Sequence, residues 1–232
     1  MSFESLPDGA PLFLLPHMDD EVLGCGSALM AHAQRGDRIS VLTVFDGALG
    51  NREGKRDLQL IARREAELIA SLGVLAPQSD IGLWSWGLQE GHLPAEPDFQ
   101  WAENRLVRLL MEEPIGAIYS PWAGDAHPDH QAVASLAHRS LRAMGHGAPD
   151  LRTYEVWSSM PTGDTMPIDS ETWSVLREAL ACHESQWDGG RLLERFGARS
   201  MARAPMDCFH GQVYGRTLEM GGPPDGGGHE AA

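Results

Sequence analysis

The chain has 232 residues, of which 42% are hydrophobic, and its formal net charge is −15. This length suffices for one hydrophobic core, and so acidic a balance argues against a surface that binds the phosphates of nucleic acids. No apolar run reaches the roughly 18 residues that a membrane-spanning helix needs.

Short apolar runs alternate with longer amphipathic segments through most of the chain. In chain order, the pattern predicts a strand at 11–16, a helix at 21–35, a strand at 39–45, a helix at about 55–72 that Gly73 ends, a short strand near 79–83, a helix at 99–113, a strand at 115–120, a helix at 131–144 and a strand at 152–157. Such alternation implies right-handed crossovers and a mostly parallel sheet with helices on both faces.

The last third of the sequence is less regular. One helix is predicted near 170–186, and the glycine-rich residues 221–232 are expected to be disordered because they have little to bury. Three widely spaced cysteines, Cys25, Cys182 and Cys208, fit free thiols better than a disulfide framework. Together with an N-terminus that lacks the pattern of a secretory signal, they predict a cytoplasmic protein.

Two clusters of polar side chains follow predicted strands. In an open α/β sheet, ligands bind outside the carboxyl ends of the strands, so both clusters are candidates for a functional site. The first follows residues 11–16 and the second follows residues 115–120. The clusters comprise His17, Asp19, Asp20 and Glu21, and Asp125, His127, Asp129 and His130.

The first candidate chemistry is a metal site. Zinc takes nitrogen and oxygen ligands in tetrahedral geometry, and a catalytic site keeps one position for water. His17 and Asp20 are three residues apart, so one turn can direct both at a single point. His130, from the other strand end, completes a set of two histidines and one carboxylate.

The remaining members of the clusters supply proton chemistry. Asp19 lies beside a ligand and is available to accept the proton of a metal-activated water. His127 is available to donate to an oxyanion, with Asp129 as its orienting carboxylate. A metal, a general base and an electrophile are what the hydrolysis of an amide needs.

Each cluster also has an ordinary structural explanation. A His-x-x-His pattern after a strand is usually a capping or surface feature, and adjacent acids are common at a helix start, where the dipole favours them. Two adjacent carboxylates at a strand end are nevertheless costly unless a cation or solvent compensates them. The presence of both clusters at neighbouring strand ends favours the metal interpretation.

The two clusters resemble the motifs of the PIG-L/LmbE-like de-N-acetylases, zinc enzymes that remove acetyl groups from amino sugars. The family's His-Pro-Asp-Asp-Glu motif stands here as residues 17–21, with Met18 in place of proline, and its His-Pro-Asp-His motif as residues 127–130. The resemblance implies a single deacetylase domain over about 1–220, with a Rossmann-like sheet and a smaller C-terminal part. It also assigns the site residues. The zinc ligands would be His17, Asp20 and His130, the general base Asp19, the residue that stabilises the tetrahedral intermediate His127, and its partner Asp129.

Candidate substrate contacts are less sharply defined. Residues 87–93 resemble a family loop that helps to hold substrate, and this loop contains Glu90 and His92. A segment similar to the family's Arg/Glu-bearing helix contains Arg63 and Arg64, and the sequence leaves open which arginine matches. Trp122 flanks a predicted loop, and its aromatic face could stack on a sugar ring.

The function expected from this sequence is removal of an N-acyl group, with acetyl as the first choice, from a small amino sugar or its conjugate. One alternative is an amidase that uses the same site on another small amide, such as a thiol conjugate or an antibiotic precursor. A second is a metal-binding protein without catalytic activity. Zinc is the expected metal, although such ligand sets accept other divalent ions, and the oligomeric state is left open.

Overall fold

One sheet of seven strands organises the part of the chain that the structure describes. The structure is a computed structural model, and it describes residues 6–51, 53–91, 96–161, 163–187, 190–203 and 210–216. The spatial order of the strands is β3-β2-β1-β4-β5-β7-β6. The strands are β1 (Ala10–Leu15), β2 (Ile39–Phe45), β3 (Ile81–Leu88), β4 (Ile115–Pro121), β5 (Asp150–Tyr154), β6 (Asp164–Ile168) and β7 (His210–Arg216).

The sheet is mostly parallel, as the alternating sequence pattern predicts. Strands β1 to β5 pair in parallel, and β7 runs antiparallel to both β5 and β6. The sequence analysis did not predict β6 and β7, which extend the sheet with the less regular C-terminal part of the chain. Strand β3 is also longer than the short strand predicted near 79–83.

The helices cover both faces of this sheet. A short 3-10 turn at Glu184–Gln186 follows the sixth of them. The helices are α1 (Asp20–Leu23), α2 (Gly26–Arg35), α3 (Leu58–Leu75), α4 (Glu96–Glu112), α5 (Pro128–Met144), α6 (Ser170–Ala181) and α7 (Arg191–Ala202). No helix among the described residues is both long and apolar enough to cross a membrane.

Several helix boundaries differ from the prediction, among them the starts of α3, α4 and α5 at Leu58, Glu96 and Pro128. The segment 21–35 is two helices separated by Gly24 and Cys25, and α3 continues past Gly73 to Leu75. The helix predicted at 170–186 ends at Ala181. Gly73 does not end its helix: its φ is not left-handed, and the residues that follow continue α3 so that Leu75 is buried in the core. The predicted disorder of 221–232 lies outside the described residues.

The core has two layers, one on each face of the sheet. Successive residues of β1 point to opposite faces, so that Leu12 and Leu14 pack in the layer under α4 and α5, whereas Phe13 and Leu15 pack under α1, α2, α3 and α6. All four side chains are fully buried, which explains why the strand reads as a continuous apolar run. Burial of each such side chain contributes about 1.5–3 kcal/mol to folding.

Strand β1 marks the point at which the strand order reverses. The chain leaves β1 for β2 on one side, and β4 pairs with β1 on the other. The carboxyl ends of β1 and β4 therefore flank the crevice in which open α/β sheets bind ligands. Both polar clusters of the sequence fall in this crevice.

Candidate active site

The loop after β1 holds the first cluster in a tight turn. The Asp20 carboxylate accepts a hydrogen bond from the backbone N–H of His17 at 3.0 Å, which closes the turn and fixes both side chains. Asp20 is 1% exposed. Local hydrogen bonding of this kind is why a short polar residue can be buried at a helix start.

The second cluster begins α5. His127 is the N-cap residue, and its Nδ1 accepts a hydrogen bond from the backbone N–H of Asp129 at 3.2 Å. Pro128 occupies the first turn of the helix, where its lack of an N–H costs nothing. Because Nδ1 of His127 is an acceptor, the proton of the neutral ring lies on Nε2. Burial and the nearby His17 lower the pKa of His127, which favours this neutral form.

The two clusters meet through Asp20. Its Oδ2 lies 3.5 Å from Nδ1 of His17 and 3.3 Å from Nε2 of His130. A nitrogen from each of His17, His127 and His130 lies within 4.8 Å of the others. The structure thus brings the three predicted ligands together and places His127 beside them. The choice of Asp20 over His127 as the third ligand stays a prediction.

The environment of His130 indicates that these donors suit a cation. His130 is fully buried, and neither of its ring nitrogens has a hydrogen-bond partner among the described residues. A buried polar group without a partner costs about 1–3 kcal/mol. Nδ1 of His130 lies 3.5 Å from Oδ1 of Asp125, and the other ring nitrogen, Nε2, faces Asp20. Imidazole nitrogens and a carboxylate oxygen are the usual ligands of zinc, so the residues present fit a divalent cation.

The pKa shifts in the crevice also indicate a site that suits a cation. Burial alone would lower the pKa of His17, but the carboxylates of Asp129 and Asp20 raise it to about 10. Burial would raise the pKa of Asp20, but the imidazoles of His130 and His17 hold it well below its usual range. The carboxylates thus favour positive charge on His17, and a bound cation would supply positive charge to them instead.

Asp19 is held differently from its neighbour. Burial raises the pKa of its carboxyl to about 6, although the guanidinium of Arg64, with Nη2 at 3.6 Å from Oδ1, opposes the shift. Arg64 itself donates to the backbone carbonyls of Met18 at 3.1 Å and Gly47 at 3.3 Å. A carboxylate with a pKa close to neutrality and a fixed neighbour is suited to accept a proton.

Asp129 has a different main partner from the predicted one. Its Oδ2 lies 3.0 Å from Nε2 of His17 and 4.0 Å from Nδ1 of His127. The backbone N–H of Gly91 donates to the same carboxylate at 3.2 Å. Asp129 therefore orients His17 in this structure, which leaves Nδ1 of that ring facing Asp20.

A cavity of about 330 Å³ opens above this cluster. Two of the predicted substrate contacts, Arg64 and Glu90, are among the residues that line it. Oε2 of Glu90 is 3.9 Å from Nε2 of His17, and Oε1 accepts a hydrogen bond from the backbone N–H of Leu49. The lining comprises His17, Asp19, Asp20, Leu49, Gly50, Arg64, Glu90, Gly91, His127, Asp129, Trp157 and Gln186.

Two of the other predicted substrate contacts, Arg63 and Trp122, lie outside the cavity lining. Arg63 is half-exposed and pairs with Glu67 at 3.0 Å, because it points along the outer face of α3. Trp122 donates its indole N–H to the carbonyl of Ser158 at 3.1 Å and is absent from the lining. His92 lies outside the described residues.

Several residues of the site were not assigned from the sequence. Trp157 and Gln186 line the cavity. They belong to segments that resemble late motifs of the family, but no role at the site was predicted for either residue. Glu21 lies in the first motif, and behind the cavity its carboxylate contacts Nε2 of His183 at 2.5 Å and the hydroxyl of Ser71 at 2.7 Å. This buried contact ties the loop after β1 to the C-terminal part.

Known proteins share both the sequence pattern and the fold. A deacetylase from Streptomyces avermitilis, 1D-myo-inositol 2-acetamido-2-deoxy-alpha-D-glucopyranoside deacetylase, is 26% identical over 208 residues, which cover 76% of this chain and 69% of the relative. The N,N'-diacetylchitobiose deacetylase from Pyrococcus horikoshii superimposes with a TM-score of 0.73 at 17% identity, over 92% of this chain and 87% of that one.

The same fold also carries other chemistry. GalB, the 4-carboxy-2-hydroxymuconate hydratase of Pseudomonas putida KT2440, superimposes with a TM-score of 0.70 at 17% identity, over 93% of this chain and 99% of that one. The fold alone therefore does not choose the reaction. The family is decided by sequence: the model described as PIG-L, GlcNAc-PI de-N-acetylase, matches residues 12–141, more than half of the chain. The chain thus belongs to the PIG-L family of de-N-acetylases.

Proposed function

We propose that this protein is a metal-dependent hydrolase that removes an acetyl group from the nitrogen of an amino sugar or its conjugate. The observation that carries the proposal is the convergence of His17, Asp20 and His130 on one point, with Asp19 and His127 beside them at the floor of one cavity. The similarity to two deacetylases of acetylated sugars supports this substrate class.

Zinc is the metal that we expect His17, Asp20 and His130 to hold. When bound, such a cation polarises the acetyl carbonyl and lowers the pKa of a water molecule. A set of two imidazole nitrogens and one carboxylate oxygen is not selective for zinc alone, so a different divalent ion of similar size is an acceptable substitute. The free thiols Cys25 and Cys182 remain consistent with the expected cytoplasmic location.

Asp19 is the residue that we expect to accept the proton of the attacking water. Its carboxylate lies in the cavity lining, and Arg64 holds it from behind. After the carbonyl carbon becomes tetrahedral, the same carboxyl group is placed to return the proton to the departing nitrogen. One residue can therefore serve first as base and then as acid, and the products are acetate and a free amine.

His127 is expected to stabilise the oxyanion. Its Nδ1 is occupied by the N–H of Asp129, so Nε2 keeps its proton and can donate it in a hydrogen bond without a full positive charge. Removing one such donor typically costs about 100-fold or more in turnover. Glu90 and Arg64 line the rest of the cavity and offer an acceptor and a donor to sugar hydroxyls.

Measurement of acetate release from the zinc-loaded protein tests the proposal. The panel should contain N-acetylglucosamine, N,N'-diacetylchitobiose and an N-acetylglucosaminyl inositol, with N-acetylcysteine as a simple thiol-bearing amide. We expect turnover on at least one sugar and none on N-acetylcysteine. Turnover on the thiol compound alone would favour the alternative amidase, and stoichiometric zinc without any acetate release would favour the non-catalytic metal protein.

A further inference from the structure

A second cavity, of about 320 Å³, lies beside the catalytic one. Trp157 borders both cavities, and its side chain is 40% exposed, so it stands at the rim between them. The walls of the second cavity are apolar on the side of α1 and the inner face of α7, where Leu23, Leu192 and Phe196 contribute.

Two arginines of α7, Arg195 and Arg199, line this second cavity. Arg195 places its guanidinium 5.8 Å from the ring centroid of Trp157. Within the described ranges of the chain, neither arginine makes a hydrogen bond or an ion pair. Arg195 is exposed, so solvent can accept its hydrogen bonds, whereas Arg199 is partly buried and has less access to solvent.

The acids nearest to Arg199 are already engaged elsewhere. Glu155 accepts two hydrogen bonds from Arg203, both at 3.0 Å. Asp125 accepts the backbone N–H of Trp157 at 2.9 Å, and Asp20 faces the histidines of the catalytic site. These carboxylates act on Arg199 only at a distance, and burial lowers the pKa of its guanidinium. Partial burial of a guanidinium whose N–H groups make no hydrogen bonds is costly, unless an anion accepts those hydrogen bonds.

We propose that this second cavity is a subsite for an anionic substituent of the substrate, such as a phosphate ester, bound by Arg195 and Arg199. The inference rests on the proposed function, because the anion enters as part of the molecule whose acetyl group occupies the first cavity. Each cavity alone is at the small end of ligand sites, which span about 300–1,000 Å³. Because Trp157 borders both, a substrate that extends past this side chain could place its sugar in one cavity and a charged group in the other.

Arginine is the residue expected for this task. Its planar guanidinium offers paired donors that match the oxygens of a phosphate. The apolar side chains beside Arg199 lower the local dielectric constant, which strengthens such a contact. A neutral acetylated sugar would leave both arginines without a partner, so the subsite would distinguish substrates by charge.

The test compares N-acetylglucosamine with its 1-phosphate and 6-phosphate in the zinc-loaded protein. We expect one phosphate ester to have a KM about 10-fold or more below that of the neutral sugar. Arg199→Gln and Arg195→Gln should each raise the KM of that ester about 10-fold and leave the KM and kcat of the neutral sugar unchanged. Arg108→Gln, on the exposed face of α4, removes one charge elsewhere and should change neither.

Two results would overturn the subsite. One is a wild-type protein without preference for either phosphate ester, and the other is a pair of variants that weaken the neutral and charged substrates equally. Turnover of the neutral sugar also reports whether each variant is folded. If the wild-type protein releases no acetate from any sugar, the deacetylase proposal fails. Calorimetric binding of glucose 6-phosphate and glucose 1-phosphate against glucose would then decide the subsite, with equal affinities for all three excluding it.

Discussion

The acids and imidazoles in the crevice beyond β1 and β4 are stable only as a set. His130 and Asp20 are both essentially inaccessible to solvent, and the two ring nitrogens of His130 lack hydrogen-bond partners within the described part of the chain. A folded protein rarely tolerates such an arrangement unless function requires it. Neighbouring side chains with opposite shifts in pKa, such as Asp19 and Asp20, are the pattern expected when one acid moves a proton and the other stays ionised.

Replacing Asp19 with asparagine separates these two roles. The change keeps the size of the side chain but removes the base, so we expect kcat for acetate release to fall about 100-fold or more. Zinc content measured by atomic absorption should remain that of the wild-type protein. Asp80→Asn, at an exposed carboxylate that is 78% accessible, is the matched control. Wild-type turnover in Asp19→Asn would remove Asp19 from the mechanism.

Substitutions of Asp129 and His127 test which of the two side chains supports zinc binding. Because Asp129 lies 3.0 Å from Nε2 of His17, Asp129→Asn should weaken zinc binding by about 10–100-fold. His127→Gln should keep zinc and lower kcat, since the predicted role of His127 is to donate to the oxyanion. Zinc affinities come from competition with a chromophoric chelator. Loss of zinc in His127→Gln with retention in Asp129→Asn would instead make His127 a ligand.

The proximity of these central residues could be predicted from the sequence because they are local to two strand ends, whereas their roles stay predictions. The short spacing from His17 to Asp20 and from His127 to His130 is itself the signal, and it requires no knowledge of distant contacts. The partner of Asp129 could not be obtained in this way, since its contact with His17 joins residues 112 apart. The position of Arg199 near the site could not be predicted for the same reason, because it depends on how α7 in the C-terminal part folds back.

At the scale of elements, the break between α1 and α2 positions the first motif. Gly24 separates the two helices, and a Cβ at this position would lie 2.3 Å from Cδ2 of Tyr154. Tyr154 is fully buried and donates its hydroxyl to the carbonyl of Leu14 at 2.9 Å. The close approach therefore connects the loop after β1 to β5. Helical periodicity alone gave one continuous helix, because the pattern continues through the break.

Two glycine substitutions should consequently have opposite effects. Gly24→Ala forces a methyl group against the ring of Tyr154, and we expect it to lower the free energy of unfolding by about 1–3 kcal/mol. Gly73→Ala lies in α3 with nothing within 4 Å of its Cβ position, and should raise that free energy by about 0.5–1 kcal/mol. Urea titration followed by circular dichroism measures both. Equal effects of the two changes would contradict the role assigned to the contact with Tyr154.

Across the whole molecule, the site joins parts of the chain that are distant in sequence. Glu21 after β1 contacts His183 after α6, and His17 contacts Asp129 at the start of α5. The parallel core could be predicted because its strands are continuous apolar runs. The antiparallel addition of β6 and β7 could not, since neither strand is a continuous apolar run: β6 reads DTMPI and β7 reads HGQVYGR.

A metal that binds across these junctions should stabilise the entire fold. The predicted ligands come from the loop after β1 and from α5, so they converge only in the native state, and free energy of binding adds to that of folding. At a zinc concentration 100 times its Kd, the gain is about 2.7 kcal/mol, which scanning calorimetry detects as a higher Tm. Treatment with a chelator should reverse the rise. His130→Ala should lose most of the zinc-dependent rise in Tm, whereas Asp80→Asn should retain this rise in full. A Tm that does not respond to zinc would argue against a zinc site in the native protein. An equal rise in Tm in His130→Ala would show that the cation is held elsewhere.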